Sequence, residues 1–564
     1  MGIGRKSAAA AIAVLALSLA ACGGGGTPSN EPTVGASELA TEAQWNPQPR
    51  ENIKDGGTLT LDAPEISPQF NTWQADGTLY TLNVWRWYNP VLALFSPDGT
   101  WEPNPDYLTD VKKEEKDGNT VVTYTIRPEA TYNDGTPIDW RSFEAVWRTS
   151  SGENEEFLVS STDGYSQIKS VTKGADDKQA VVTFDGIYAW VDGLFNQLLH
   201  PKAAADAETY NKAYVNNPHP EWGAGPYTVD KFDQQNGTIS FKRNDKWWGD
   251  EGKLDSMTYR ALESTAAINA FKNGQTDATG VGTADLLAQV QPMVDQGQAE
   301  IRKSARPAQS LIVFNSKYAG LEDLNVRKAI MMGIDRKVIA DIAFQGLNYT
   351  EEPPGSLNLY GFQKGYQDNL AAAGYKFDKA EAEKLLDDAG WVKGEDGIRA
   401  KDGKKLSISY PVIGDDPNVA ARAKAVNSML KEIGVDLKIE QKGSNEFSKV
   451  FTEKQFGMFA MGFSSSDPFG YAYFCQVYCS NSTLNASSTG TPEIDKKIEA
   501  VAKIGDPDKQ IEEGNKVETE IIAETWGILP LTNGPTIVAV KKGLANFGAD
   551  IFGVQKPQDI GWQK

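Results

Sequence analysis

The sequence predicts a mixed α/β (α+β) protein built from two unlike halves, and three observations carry this reading. Short stretches that alternate apolar and polar residues crowd the first half, the period expected of half-buried strands. The second half holds a strand, a helix and a strand at βαβ lengths. A later run, GMFAMGF (457–463), is apolar nearly throughout and reads as a buried parallel strand.

In chain order, GGTLTLDAP (56–64) follows a Gly-Gly turn as the first strand of the body. NTVVTYTIRPEATYNDGTPIDWRSFEAVWR (119–148) reads as strand, turn at Asp134-Gly135, then a helix opened near Asp139. AVVTFDG (180–186), GPYTVDKFD (225–233) and GTISFKRN (237–244) are further alternating strands. KLSISYPVI (405–413) begins the βαβ unit. In the helix that follows (418–433), Val419, Ala423, Val426, Leu430 and Ile433 recur every three or four positions, and Gly434 ends it as a C′ glycine. VDLKIE (435–440) then lies parallel to the first strand. Ligands of open α/β sheets bind at the carboxyl ends of strands. The turn after GMFAMGF, Ser464, Ser465, Ser466 and Asp467 before Pro468, is therefore the first candidate for ligand contact. Asp467 reads equally well as the cap of that turn.

The start of the chain says where the body works. Arg5 and Lys6 precede an apolar stretch (8–19) too short to span a bilayer, which takes ~20 residues. Residues 1–21 are thus expected to be a cleaved signal peptide. LAAC (19–22) resembles the bacterial lipoprotein lipobox, in which cleavage exposes the cysteine for acylation; several acyl chains on Cys22 give stable anchoring. Residues 22–53, rich in Gly, Pro, Ser and Thr, read as a flexible tether. The expected location is extracytoplasmic, on the outer face of the cell membrane, the periplasmic side in a two-membrane cell.

Composition excludes several classes. A formal net charge of -20 leaves no electrostatic footprint for nucleic acid. The 2 histidines, His200 and His219, both sit beside prolines, and no metal or cofactor motif appears. After Cys22, only Cys475 and Cys479 remain of the 3 cysteines, and outside the cell they are expected to form a disulfide.

Four blocks, YTIRPEATYNDGTPI (124–138), NAFKNGQTDA (269–278), FNSKYAGLEDLNVRKAIMMGIDRKVI (314–339) and AEKLLDDAGW (382–391), resemble in order the family 5 extracellular solute-binding proteins. The resemblance implies a two-lobed, periplasmic-binding-protein-like fold (type II) with an extra β-rich subdomain in lobe I. Lobe I would comprise residues 54–90, 200–305 and 536–564, the subdomain 91–199, and lobe II 306–535, with hinge passes near 305 and 535. It also implies a monomer without catalysis or cofactor, which traps a peptide or other small solute and delivers it to the permease subunits of an ABC importer. Segments facing the cleft in the family add Trp73, Gln74, Asp76, Phe314, Asn315 and Phe469 as ligand-binding candidates, although Asn315 also reads as satisfying local backbone.

One departure from the family stands out. Relatives that hold a peptide by its free amino terminus carry an aspartate where this chain has Ser464, and a hydroxyl does not offset the burial of an ammonium. Two other functions stay open: a ligand sensor or envelope-assembly factor on the same fold, and a secreted carboxylate-dependent hydrolase. GFSSS (462–466) lacks the last glycine of a G-x-S-x-G nucleophile elbow.

Overall fold

The computed structural model describes residues 34–39 and 43–564. The leader, Cys22 and part of the stretch read as a tether lie outside the described residues. Lobe I is built on a seven-stranded sheet in the order Ala299–Ala305, Pro535–Lys541, Ala278–Gly280, Thr58–Ala63, Ser256–Ala261, Thr238–Arg243, Tyr227–Asp233. Thr58–Ala63 runs parallel to both neighbours, and the other pairings are antiparallel. Leu59, Leu61 and Ala63 alternate into the core, as the TLTLDA pattern requires.

The helix Leu79–Tyr88 lays its aromatic face on this sheet. The Trp87 ring sits 5.3 Å from Tyr227 and 6.3 Å from Phe241. Where the helix ends, the Tyr88 carbonyl accepts from the N–H groups of Ala224 (2.8 Å) and Gly225 (2.9 Å). Glycine is required here, because a Cβ on Gly225 would lie 2.8 Å from the Tyr88 carbonyl carbon. Residues 91–199 contribute a four-stranded antiparallel sheet of Leu108–Lys116, Asn119–Ile126, Gln179–Phe184 and Ile168–Lys173. The helix Trp140–Ser150 covers it, capped by Asp139 accepting from the Arg141 N–H at 2.9 Å.

In lobe II, Ser407–Ile413 and Asp436–Lys442 pair in parallel around the helix Pro417–Glu432. Asp416 caps the helix start, accepting from Asn418 N at 2.8 Å, and Gly434 takes the left-handed conformation just past its end (φ 88). One strand differs from expectation. Met458–Ser464, expected to be parallel and fully buried, lies antiparallel to Ala308–Phe314, which also pairs antiparallel with Ile528–Thr532. Only Met458 and Phe459 are fully buried, and Met461 to Ser464 face the cleft. An apolar run records that water is excluded without recording which neighbour excludes it.

The expected tether also ends earlier than residue 53. From residue 43 the chain is bound to lobe I: Gln44 bridges Ala549, Asn46 Nδ2 donates to the Leu544 carbonyl (2.9 Å), Arg50 pairs with Asp559 (2.7 Å) and Ile53 is buried. Val34–Gly35 pairs with Tyr349–Thr350. Polar composition concealed this, because the partners lie some 500 residues away in sequence.

The chain crosses between the two main sheets at residues 306–307 and 533–534. Glu351 holds the second crossing, accepting from Asn533 N (2.7 Å) and Gly534 N (3.0 Å), while Asn533 Nδ2 donates to Ala308 O (2.9 Å) and ties it to the first. Deeper in lobe II, Glu518 on the helix Pro507–Thr525 is fully buried and accepts from Ser356 Oγ, Leu357 N, Asn358 Nδ2, Asn369 Nδ2, Tyr471 OH and Tyr478 OH. Replacing Glu518 with alanine strands buried donors at a cost of roughly 1–3 kcal/mol for a single group. E518A is expected to lower the urea midpoint of the lobe II transition clearly, and E518Q to lower it less; an unchanged midpoint would show that the carboxylate is dispensable.

Candidate functional site

A cavity of about 600 Å³ lies between the lobes, within the usual range for small-ligand sites. Lobe I supplies Trp73, Asp76, Tyr80 and Arg86, and lobe II supplies Phe447, Met461, the 464–467 turn and Tyr473. The two sides meet around it. Asp163 accepts from the N–H groups of Cys475 (3.1 Å) and Gln476 (2.8 Å) at the start of the helix Phe474–Tyr478. Glu263 accepts from Ser444 N (2.9 Å) and Ser444 Oγ (2.7 Å). Thr483 Oγ1 donates to the Val159 carbonyl at 3.1 Å.

Trp73 and Asp76 line the cavity, with the Trp73 ring set edge-on to Trp85 at 5.5 Å. Gln74 lies behind the wall, buried, its Oε1 accepting from the Asp76 N–H. Ser464, Ser465 and Ser466 all reach the cavity; Ser465 Oγ also accepts from Tyr360 OH at 3.0 Å. Asp467 lines it too but is only 3% exposed, with its oxygens occupied by Phe469 N (3.0 Å), Ser466 Oγ (3.2 Å) and Tyr473 OH. Burial pushes its carboxyl above the usual range, against those hydrogen bonds and the charge of Arg86. Asp467 thus caps its turn and braces Tyr473.

Phe314 and Asn315 are corrected. Phe314 is fully enclosed in the lobe II core, and Asn315 Nδ2 donates to the carbonyls of Phe456 (3.1 Å) and Lys454 (3.3 Å), away from the cleft. Ala308–Phe314 is the central strand of its sheet, so its far end is covered on both sides. Phe469 is also displaced from the cavity. It packs between Phe95 and Trp190 across the lobes and borders a second hollow of about 550 Å³ beyond the 467–470 turn. Cys475 and Cys479 are bonded, with Cα atoms 4.7 Å apart. Among the described residues no group of three metal-ligating side chains converges, and no helix is long and apolar enough to cross a membrane.

Sequence reading missed Arg86, Arg306, Tyr80 and Glu65, all on the cavity wall. Arg86 had a readable signal, a single charge within the largely apolar LYTLNVWRWY. Arg306 had none beyond its place next to Pro307.

Two lobes closing on a polar-and-aromatic cavity, joined by paired crossings, define a ligand-trapping protein, and the comparisons give its family. The model of the bacterial extracellular solute-binding proteins, family 5, matches residues 102–485. The chain belongs to that family. It is 34% identical over 544 residues to the oligopeptide-binding protein OppA of Mycobacterium tuberculosis, covering 95% of this chain and 90% of the relative. Its fold is similar to that of a periplasmic EDTA-binding protein, EppA (TM-score 0.77, 22% identity, 93% of this chain and 99% of the other). It is likewise similar to the oligopeptide-binding protein AppA from Bacillus subtilis in complex with a nonapeptide (TM-score 0.75, 18% identity, 91% and 100%).

Burial raises three acids well above the ordinary 3.8, Asp62 and Asp163 to about 6 and Asp550 to about 7. Between the unfolded and folded values the native state holds protons that the unfolded chain releases, so stability falls as pH rises through this window. His200, lowered by burial, opposes this as a single group. The melting temperature is therefore expected to rise from pH 7.5 to 5.5, and D163N to flatten part of the slope; a profile that falls throughout would contradict the assignment.

Proposed function

We propose that this protein is an extracytoplasmic receptor, anchored through a lipid on Cys22, that captures a peptide between its lobes and hands it to the permease subunits of an ABC importer. The observation that carries the reading is the cavity itself, whose walls come from both lobes and whose rim is bonded across by Asp163 and Glu263. Such a site binds well only when the lobes are together, so the ligand shifts the population toward the closed form. The likeness to OppA over nearly the whole chain supports peptide as the solute. The cleft residues proposed for contact are Trp73, Asp76, Ser464, Ser465 and Ser466, with Asp467 as their support.

The reading is one of binding without turnover. Peptide recovered from the purified protein by mass spectrometry should be intact, and adding it back at ~100 times its dissociation constant should stabilise the fold by ~2.7 kcal/mol. Cleavage of the bound peptide, or a melting temperature unmoved by every peptide pool, would overturn it. Deleting the gene should abolish uptake of that peptide, which separates import from sensing. C22S should move the protein from the membrane fraction to the soluble extracytoplasmic fraction while leaving peptide affinity unchanged.

A further inference from the structure

Lobe II reaches back over the hinge. The chain leaving the helix Arg336–Phe344 runs to Tyr349–Thr350 and on to Glu351, whose carboxylate holds the second crossing and also accepts from Tyr349 OH at 2.7 Å. Along this finger Leu347 and Tyr349 are buried, and the apolar cluster they join, with Ile268, Phe271, Val290 and Ile537, is that of lobe I. Gly346 passes so close to the lobe I helix Ala284–Asp295 that a Cβ on it would lie 2.9 Å from the Cβ of Ala284.

The start of the described chain ties the finger to lobe I. Val34–Gly35 adds a parallel strand to it, Val34 opposite Tyr349 and Gly35 opposite Thr350. The short helix Ala36–Leu39 follows at once, and Leu39 is buried in the same mixed cluster. A few residues on, Gln44 Oε1 accepts from Lys303 N (2.9 Å) and Gln44 O from Ala549 N (3.0 Å), both in lobe I. The segment is thus fastened to lobe II at one end and to lobe I at the other, a noncovalent link beside the two covalent crossings. Opening the cleft turns one lobe against the other about those crossings, so it strains the short ladder, the burial of Leu39, or both. We propose that residues 34–39 form a strap across the hinge that favours the closed form. Residues 22–33 lead directly into it, so a pull on the start of the chain is delivered to the hinge. A larger closed fraction in the free protein lowers the ligand concentration needed for capture, whatever the ligand's class.

The test needs no ligand. The N–H groups of Cys475, Gln476 and Ser444 are bonded across the cleft to Asp163 and Glu263, so their hydrogen exchange reads how often the cleft opens. Exchange is followed by mass spectrometry on the chain from residue 22 onward carrying Cys22→Ser, and on the same chain with residues 34–39 replaced by an equal length of Gly and Ser. The replacement should speed exchange at these amides by roughly 5-fold or more, the lower end of ordinary coupling between sites, while the amides of the central strand Ala308–Phe314 keep their rates. Leu39→Ser should act in the same direction with a smaller effect. Gly35→Cys with Thr350→Cys works the other way, placing thiols on paired residues where Gly35 has room for a side chain and Thr350 is exposed. Its disulfide should slow exchange at the cleft amides below that of the unlinked protein. Equal rates with and without the strap would overturn the proposal, as would a cysteine pair that does not cross-link on oxidation. Faster exchange that extends to Ala308–Phe314 would report a loosened fold instead of an opened hinge, and would overturn it as well.

Discussion

The buried carboxylate of Glu518 is the interaction on which the ligand-facing side of lobe II depends. Six donors from two separate segments converge on it, so one side chain fixes the 356–369 strap and the 471–478 segment to each other and to its own helix, Pro507–Thr525. The same segments carry Leu357, Asn358, Tyr473, Gln476 and Val477 to the cavity. A buried charge is tolerable only when its hydrogen bonds are complete. Here completeness requires that these loops keep one arrangement, which makes this wall of the cleft a rigid surface.

Rigidity within a lobe gives meaning to the weaker bonds between lobes. Across the cleft the polar contacts are few: Asp163 on two amides, Glu263 on Ser444, the hydroxyls of Thr483 and Tyr473 on the carbonyls of Val159 and Gly193, and Trp190 Nε1 on Gln510. Each of the two carboxylates loses hydration on closing and recovers it from donors on the far side, so the net gain is modest. Around them, Phe469 packs on Phe95 and Trp190. Two bodies that are internally stiff and only loosely joined move as a hinge. Because closure contributes little by itself, a ligand of ordinary affinity is enough to decide it.

Much of this was legible before the structure. Alternation placed the strands at 58, 180, 227 and 238, and the helical period with its terminal Gly434 bounded the βαβ unit, because those signals are local. What failed was non-local. GMFAMGF told of burial but not of orientation, since the partner strand lies 150 residues earlier. Phe314 and Asn315 sit at the covered end of a central strand, and no local pattern reports which end of a strand opens on a cleft. Gln44, Asn46 and Arg50 looked like tether residues because their partners belong to the last segment of the chain. In the cleft, the turn at 464–467 was found by topology, whereas Arg306 was invisible because it lies at a crossing between the lobes, where no local pattern marks the cavity wall.

The balance of charge in the cleft follows from a single register. Pairing Ser464 with Ala308 at the end of its strand leaves a hydroxyl, rather than a carboxylate, at this point of the cavity wall. Three residues on, Asp467 does not substitute, because its oxygens are taken by the turn and by Tyr473. The remaining wall acids, Glu65 and Asp76, are pushed toward neutrality by the same burial that makes the cleft a binding site. Guanidinium groups behave differently under that pressure, because their ordinary pKa lies so far above neutrality that burial lowers it without discharging them. Burial therefore acts against the charge of the wall acids and leaves the guanidinium groups charged.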